Sequence, residues 1–183
     1  MILASQSPRR KELLSKVTGH FTIAPANIDE TVDINETPKY YVERMAKNKA
    51  EKIKELYPDE VIIGCGTTVV LGDTILGKPI DDQDAYAMLS SLSGKTHQVM
   101  TAVCVITPEN VYEHTEIVDV VFYELEDGHI KQYIKSGEAS DKAGAYGIQD
   151  QGSLFVKSIS GDYFSVVGLP IGYLNQLFTE LGR

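Results

Sequence analysis

Little in this sequence favours a membrane span, a disulfide framework or a structural zinc site. No stretch approaches the roughly 18 consecutive apolar residues that cross a bilayer. The start, Met1-Ile2-Leu3-Ala4-Ser5, has no basic region ahead of a long apolar core, so a cytoplasmic protein is expected. Cysteine is scarce: Cys65 and Cys104 are the whole complement. Both lie in strand-like apolar runs without the spacing of a metal site, and buried free thiols are expected. Positive charge is short as well. Seventeen Lys and Arg against 26 Asp and Glu give a formal net charge of -9, which argues against the extended basic surface that releases counterions from nucleic acid. A compact anion is still compatible, provided basic residues cluster locally.

Several common signatures are missing too. There is no G-x-x-x-x-G-K-S/T phosphate loop, no G-x-S-x-G nucleophile elbow and no H-E-x-x-H helix. Gly64-Cys65-Gly66-Thr67-Thr68-Val69 starts like a dinucleotide fingerprint but has valine where the third glycine belongs. His20, His97, His114 and His129 are scattered without ligand spacing, and read as surface or structural histidines.

What is present suits one globular domain over residues 1–183. The chain is 43% apolar and 23% charged, ordinary for a protein with its own core. Ile2 to Ala4 predicts a short strand. Ser7, with Pro8 at the first helical position, then starts a helix through Leu13 and Leu14. Phe21 to Ala24 predicts the next strand. Thr37-Pro38 repeats the helix start, and Val42, Met45, Ala46, Ala50, Ile53 and Leu56 recur at helical spacing. Val61 to Ile63 and Thr68 to Leu71 read as strands around glycines that imply a bulge or a close backbone approach, with Gly72-Asp73 as a hairpin turn. Ala85 to Leu92 predicts a helix, and Val99 to Ile106 with Val111 to Tyr123 a long hairpin. Ile130 to Ile134 gives a short helix, Leu154 to Ile159 a late strand, and Leu169 to Leu181 a last helix. The interleaving points to an α/β fold with a twisted mixed sheet.

The chemistry starts at Ser7-Pro8-Arg9-Arg10-Lys11. Unpaired amides at a helix start already favour an anion, and arginine adds forked donors matched to phosphate. Lys47 and Lys49 add charge on the long helix, and Lys78 stands in the short loop Leu76-Gly77-Lys78-Pro79. Phosphate hydrolysis needs a base or a divalent metal. Asp29-Glu30 is the best carboxylate pair, and magnesium requires only one or two such groups besides phosphate and water. Asp119, inside an apolar run, needs a partner or a role. The segment from Asp141 to Gln149 reads as an ordered binding loop, in which the Gln149 amide can meet a base edge.

These residues resemble the Maf family of nucleoside triphosphate pyrophosphatases, also called septum-formation inhibitors. Five blocks carry the resemblance in order: Leu3-Ala4-Ser5-Gln6-Ser7-Pro8-Arg9-Arg10; Gly77-Lys78-Pro79; Leu92-Ser93-Gly94-Lys95-Thr96-His97-Gln98-Val99; Asp141 to Gln149; and Val166-Val167-Gly168-Leu169-Pro170. The resemblance implies an elongated twisted mixed sheet flanked by helices, of Maf/ITPase-like fold, which often forms a homodimer. It implies cleavage between the α and β phosphates with Mg2+ or Mn2+. One branch of the family takes dTTP and UTP and the other 7-methyl-GTP. Arg9, Thr68 and Gln149 stand where the pyrimidine branch keeps its specificity residues, so dTTP, UTP and modified pyrimidine nucleotides are expected. Carried over by position, Ser7, Arg9, Arg10, Lys49 and Lys78 contact the triphosphate, and Glu30 helps to hold the metal or its water.

One departure stands out. Where the family reads Gly-Ala-Asp-Thr-Val-Val, this chain reads Cys65-Gly66-Thr67-Thr68-Val69-Val70. Thr67 thus takes the place of the aspartate assigned as proton acceptor, and a hydroxyl that stays protonated near neutral pH cannot replace a carboxylate. Two readings follow: a pyrophosphatase, or a catalytically weakened nucleotide-binding regulator of cell division. A plain interaction module explains neither Arg9, Lys78 nor Gln149.

Overall fold

The computed structural model of the chain describes residues 1–182. Among them, seven strands form one mixed sheet with helices around it. The strands are β1 (Ile2–Leu3), β2 (Thr22–Ile23), β3 (Ile62–Leu71), β4 (Thr74–Leu76), β5 (Thr96–Ile106), β6 (Val111–Phe122) and β7 (Val156–Ser160). Their order is β2-β1-β3-β5-β6-β7, with β4 paired to β3. β1 lies parallel to both β2 and β3, which β-helix-β crossovers require. β4 folds back antiparallel on β3 through Gly72, whose φ of +63 suits the turn.

The helices are α1 (Pro8–Ser15), α2 (Pro38–Lys54), α3 (Asp82–Leu92), α4 (Asp127–Lys135), α5 (Tyr163–Val167) and α6 (Ile171–Glu180). No helix among the described residues is long and apolar enough to cross a membrane. Both helix starts foreseen at Ser-Pro and Thr-Pro are real. The Ser7 hydroxyl accepts from the Arg10 amide at 3.4 Å, and the Thr37 hydroxyl from the Tyr40 amide at 3.3 Å.

The chain divides into two compact units, residues 1–66, 101–116 and 168–183 in the first, and 67–100 and 117–167 in the second. The first has its core between α2 and the start of β3. Val42, Met45, Ala46, Ala50 and Ile53 are buried as their spacing predicted, whereas Leu56 falls past the helix end and is exposed. The Gly64-Cys65-Gly66 run lies inside one continuous strand. A Cβ on Gly64 would lie 2.0 Å from the Ala46 carbonyl oxygen, and one on Gly66 2.4 Å from that of Val42. Glycine is therefore what lets β3 and α2 meet backbone to backbone.

The second unit packs α3, α4 and the segment from Ala139 to Phe155 around Phe122 and Leu89. Two elements here depart from expectation. The late strand begins only at Val156, because residues 151–155 form a 3-10 turn that leaves Leu154 exposed. The predicted last helix, Leu169 to Leu181, is α6, which starts only at Ile171 after Gly168, with a φ of +126, and Pro170, and the short helix α5 ahead of it was not foreseen.

The close approach of β3 to α2 yields a sharp prediction. Gly64→Ala should cost about 1–3 kcal/mol or more in urea unfolding, because the methyl group meets backbone that cannot move aside. Gly19→Ala, with nothing within 4 Å of the new carbon, should shift stability by no more than about 0.5 kcal/mol. Equal losses would contradict the packing described.

Candidate functional site

In the first unit the sequence-predicted cations are gathered by the end of β1, α1 and α2. Arg10 is held in the frame: its Nε donates to the Gly168 carbonyl at 3.0 Å and its Nη1 to the Ser5 hydroxyl at 3.3 Å. Ser5 Oγ also accepts from the Ser7 amide at 3.2 Å, so a single buried hydroxyl ties the helix start to the guanidinium. Arg9, at the second position of α1, is partly buried.

Lys49 is the unexpected member of the α2 buried face, with 9% of its surface exposed. Its Nζ lies 2.7 Å from Glu30 Oε1. Burial, and then the neighbouring Arg10 charge, lower the ammonium's pKa, while the Glu30 hydrogen bond opposes them. A lysine in this setting gains if an anion arrives to complete its partners. Lys47, by contrast, is exposed and 3.9 Å from Glu113, as a solvated surface charge would be.

The carboxylate pair predicted at Asp29-Glu30 does not act as a pair. Asp29 Oδ1 accepts from both the Thr31 amide at 2.9 Å and the Thr31 hydroxyl at 2.6 Å, and these bonds lower its pKa. It is a local turn anchor. Glu30 alone reaches Lys49. The segment that carries it is strapped to α2 by two residues that pattern reading missed. Arg44 makes a two-pronged bond to Glu36, Nε to Oε1 and Nη2 to Oε2 at 2.6 Å each, and Nη2 also donates to the Thr31 carbonyl at 2.9 Å. Tyr41 Oη donates to the Glu30 carbonyl at 3.1 Å. No local motif announces this strap, because its partners are separated by 8 to 13 positions and one of each pair lies in the irregular stretch before α2.

In the second unit three pieces carrying predicted site residues are fastened together. β3 supplies Thr67, partly buried, and Thr68, whose buried hydroxyl has no hydrogen-bond partner. The loop with Lys78 is joined to the 142–149 loop by the Gly144 amide, which donates to the Gly77 carbonyl at 3.0 Å. Gly144 in turn lies on β3: a Cβ there would sit 2.8 Å from the Val69 side chain. Lys78 and Gln149 are both exposed, ready for a solvent-borne ligand. Asp119, the other candidate carboxylate, is exposed and accepts from Gln98 Nε2 at 3.1 Å. That cross-strand bond supplies the partner its charge needed.

His97 is the least expected feature here. It is 2% exposed, shares a 2.8 Å hydrogen bond between Nε2 and Tyr146 Oη, and packs edge-on against Phe122 at 4.7 Å. Burial holds its pKa down at about 4.

A family model described as "Maf-like protein" matches residues 1–181. Curated relatives align along the full chain. A "dTTP/UTP pyrophosphatase" of Bacillus pumilus is 49% identical over 185 residues, covering 100% of this chain and 96% of that protein. Another of the same name, from a Geobacillus species, is 46% identical over 182 residues, covering 100% and 98%. Among solved structures, the Ham1 protein of Staphylococcus aureus overlaps with a TM-score of 0.49 at 12% identity, over 66% of this chain and 70% of that one.

The His97 environment predicts a pH dependence of stability. The unfolded imidazole protonates near pH 6.5 and the folded one near 4. Its contribution is therefore whole above pH ~6.5 and lost as pH falls towards 4, by up to on the order of 3 kcal/mol. Urea midpoints at about pH 7.5 and about pH 4.5 should fall further for the wild type than for His97→Leu. Parallel losses would contradict a neutral buried imidazole.

Proposed function

The chain belongs to the Maf-like family, and from that premise we propose that it is a nucleoside triphosphate pyrophosphatase. Its substrates are dTTP and UTP, with modified pyrimidine nucleotides, each split to the monophosphate and pyrophosphate. The structural observation that carries the reading is Lys49. A nearly buried ammonium beside Arg10, only partly balanced by Glu30, is a costly arrangement that a polyanion would relieve. The names of the full-length relatives supply the nucleotide.

In this proposal Ser7, Arg9, Arg10, Lys49 and Lys78 contact the triphosphate, and the cations stabilise the charge that gathers on the departing pyrophosphate. Thr68 and Gln149 meet the base. Water attacks the α-phosphorus, the α–β bridging bond breaks, and one proton must leave the water. The Thr67 hydroxyl cannot take it near neutral pH. Asp29 serves a turn with Thr31 and Asp119 a cross-strand bond with Gln98, whereas Glu30 stands 2.7 Å from Lys49 among the cations and is the proposed acceptor.

A divalent metal accompanies this chemistry in the family. Among the described residues no three His, Cys, Asp or Glu gather into a cage. The donors suit instead a magnesium or manganese ion carried in on the nucleotide, with phosphate oxygens and waters filling most positions and Glu30 holding the ion on the protein side. The ion would neutralise charge on the phosphate oxygens.

Thr67 favours slow turnover, and to that extent the reading of a weakened, nucleotide-binding regulator. Pyrophosphate release from dTTP and UTP, with magnesium or manganese, tests both readings. Thr67→Asp should raise kcat by about 10²-fold or more, within the range of a restored general base, with little change in KM. Equal rates for the two proteins would show that Thr67 does not limit the reaction. An absence of pyrophosphate release from either protein would leave the regulator.

A further inference from the structure

The nucleotide-binding proposal makes no use of His97 or Tyr146, yet together they form a buried polar contact in the second unit. The His97 ring on β5 and the Tyr146 ring are 2% and 5% exposed and share the 2.8 Å Nε2–Oη hydrogen bond. Each stands edge-on to the other, with ring centres 5.5 Å apart, and both stand edge-on to Phe122 at 4.7 Å. Tyr146 lies three positions before Gln149.

The loop around Tyr146 is held in a conformation that needs such anchoring. Ala145, a residue with a Cβ, has a φ of +60 and is fully buried, a strained state that persists only where the surroundings over-determine it. Gly144 is pinned on one side by Val69 and on the other by the Gly77 carbonyl. The Gly147 amide donates to Tyr133 Oη at 3.1 Å, and a Cβ on Gly147 would meet the Lys142 side chain at 2.6 Å. The stretch from Gly144 to Gly147 is thus held at several points, and the His97 bond ties it by a polar side-chain contact to β5.

We infer that His97, through its hydrogen bond to Tyr146, is a positioning residue for base selection by Gln149. The reason is chemical. The two ends of a carboxamide have nearly the same shape but opposite hydrogen-bonding character. Thymine and uracil present a carbonyl oxygen beside a ring N–H, whereas cytosine presents an amino group beside a bare ring nitrogen. A glutamine on a mobile loop can turn its amide over and accept either base. Discrimination therefore requires the backbone of Gln149 to be held still, which the buried pair achieves from behind while touching no substrate.

The inference rests on the proposed base-reading role of Gln149, and the test separates the two. The ratio of kcat/KM for dTTP to that for dCTP is measured for the wild type, Gln149→Ala, Tyr146→Phe, His97→Gln and His97→Leu, each checked for folding by thermal melting. Gln149→Ala should reduce the ratio. Tyr146→Phe, which keeps the ring and deletes the hydroxyl, should reduce it by about tenfold, the scale of one hydrogen bond. This loss should fall on KM for dTTP, with kcat at saturating dTTP changed by less than about twofold. His97→Gln retains a hydrogen-bonding group and should recover part of the ratio relative to His97→Leu. A ratio lowered by Gln149→Ala but untouched by Tyr146→Phe overturns the positioning role. A ratio untouched by Gln149→Ala overturns base reading itself, and the positioning inference with it. Should Tyr146→Phe fail to fold, amide hydrogen exchange in His97→Gln decides. Faster exchange across residues 144–149 supports the inference, and unchanged exchange there refutes it.

Discussion

A lysine ammonium kept almost out of water is the constraint around which the first unit is arranged. Nothing about protein stability alone favours placing Lys49 on the buried face of α2, next to the Arg10 guanidinium. Much of the neighbouring structure serves to hold that placement. Gly64 and Gly66 let β3 lie against the backbone of α2. Ser5 and the Gly168 carbonyl hold Arg10 in place. The Arg44 strap fixes the segment that delivers Glu30, a counter-charge 2.7 Å from Lys49. A site tuned for a polyanion would be under-neutralised in this way before its ligand arrives.

The second unit solves a different problem, the exact placing of loops whose own residues are small and flexible. Its three pieces are linked by the hydrogen bond from the Gly144 amide to the Gly77 carbonyl and by the packing of Gly144 on the Val69 side chain. Phe122, Tyr146 and His97 pack edge to face in the core of the same unit. Thr67 lies within the same unit, and a hydroxyl there leaves the proposed reaction without a carboxylate at that point of β3.

Much of this was legible in the sequence, and the reasons are physical. The starts of α1 and α2 could be read because Ser-Pro and Thr-Pro caps act within four residues. The α2 core face was legible from its period, and the glycine run left open a bulge or a close approach, of which the packing on α2 shows the second. Strand ends and the break between α5 and α6 were harder, because Gly168 and the turn before Val156 depend on what the chain packs against. Charges were the least legible. Asp29, Asp119 and Glu30 are all acidic residues near predicted strands, yet only the fold distinguishes a turn anchor and a cross-strand partner from the carboxylate that meets Lys49. Arg44 and Tyr146 escaped notice as contacts because their partners lie 8 and 49 positions away.

The central claim is that Lys49 is kept charged and buried for the sake of an anion. Replacing it by methionine keeps the length and removes the charge, and leaves behind a Glu30 carboxylate that is about half exposed. Calorimetric titration with a non-hydrolysable dTTP analogue, run beside thermal unfolding of the free protein, tests the claim directly. The account predicts that Lys49→Met binds at least about tenfold more weakly while melting no lower than the wild type, since a buried charge has been exchanged for an apolar group. Unchanged affinity together with a lower melting temperature would contradict it, and would make Lys49 a structural residue.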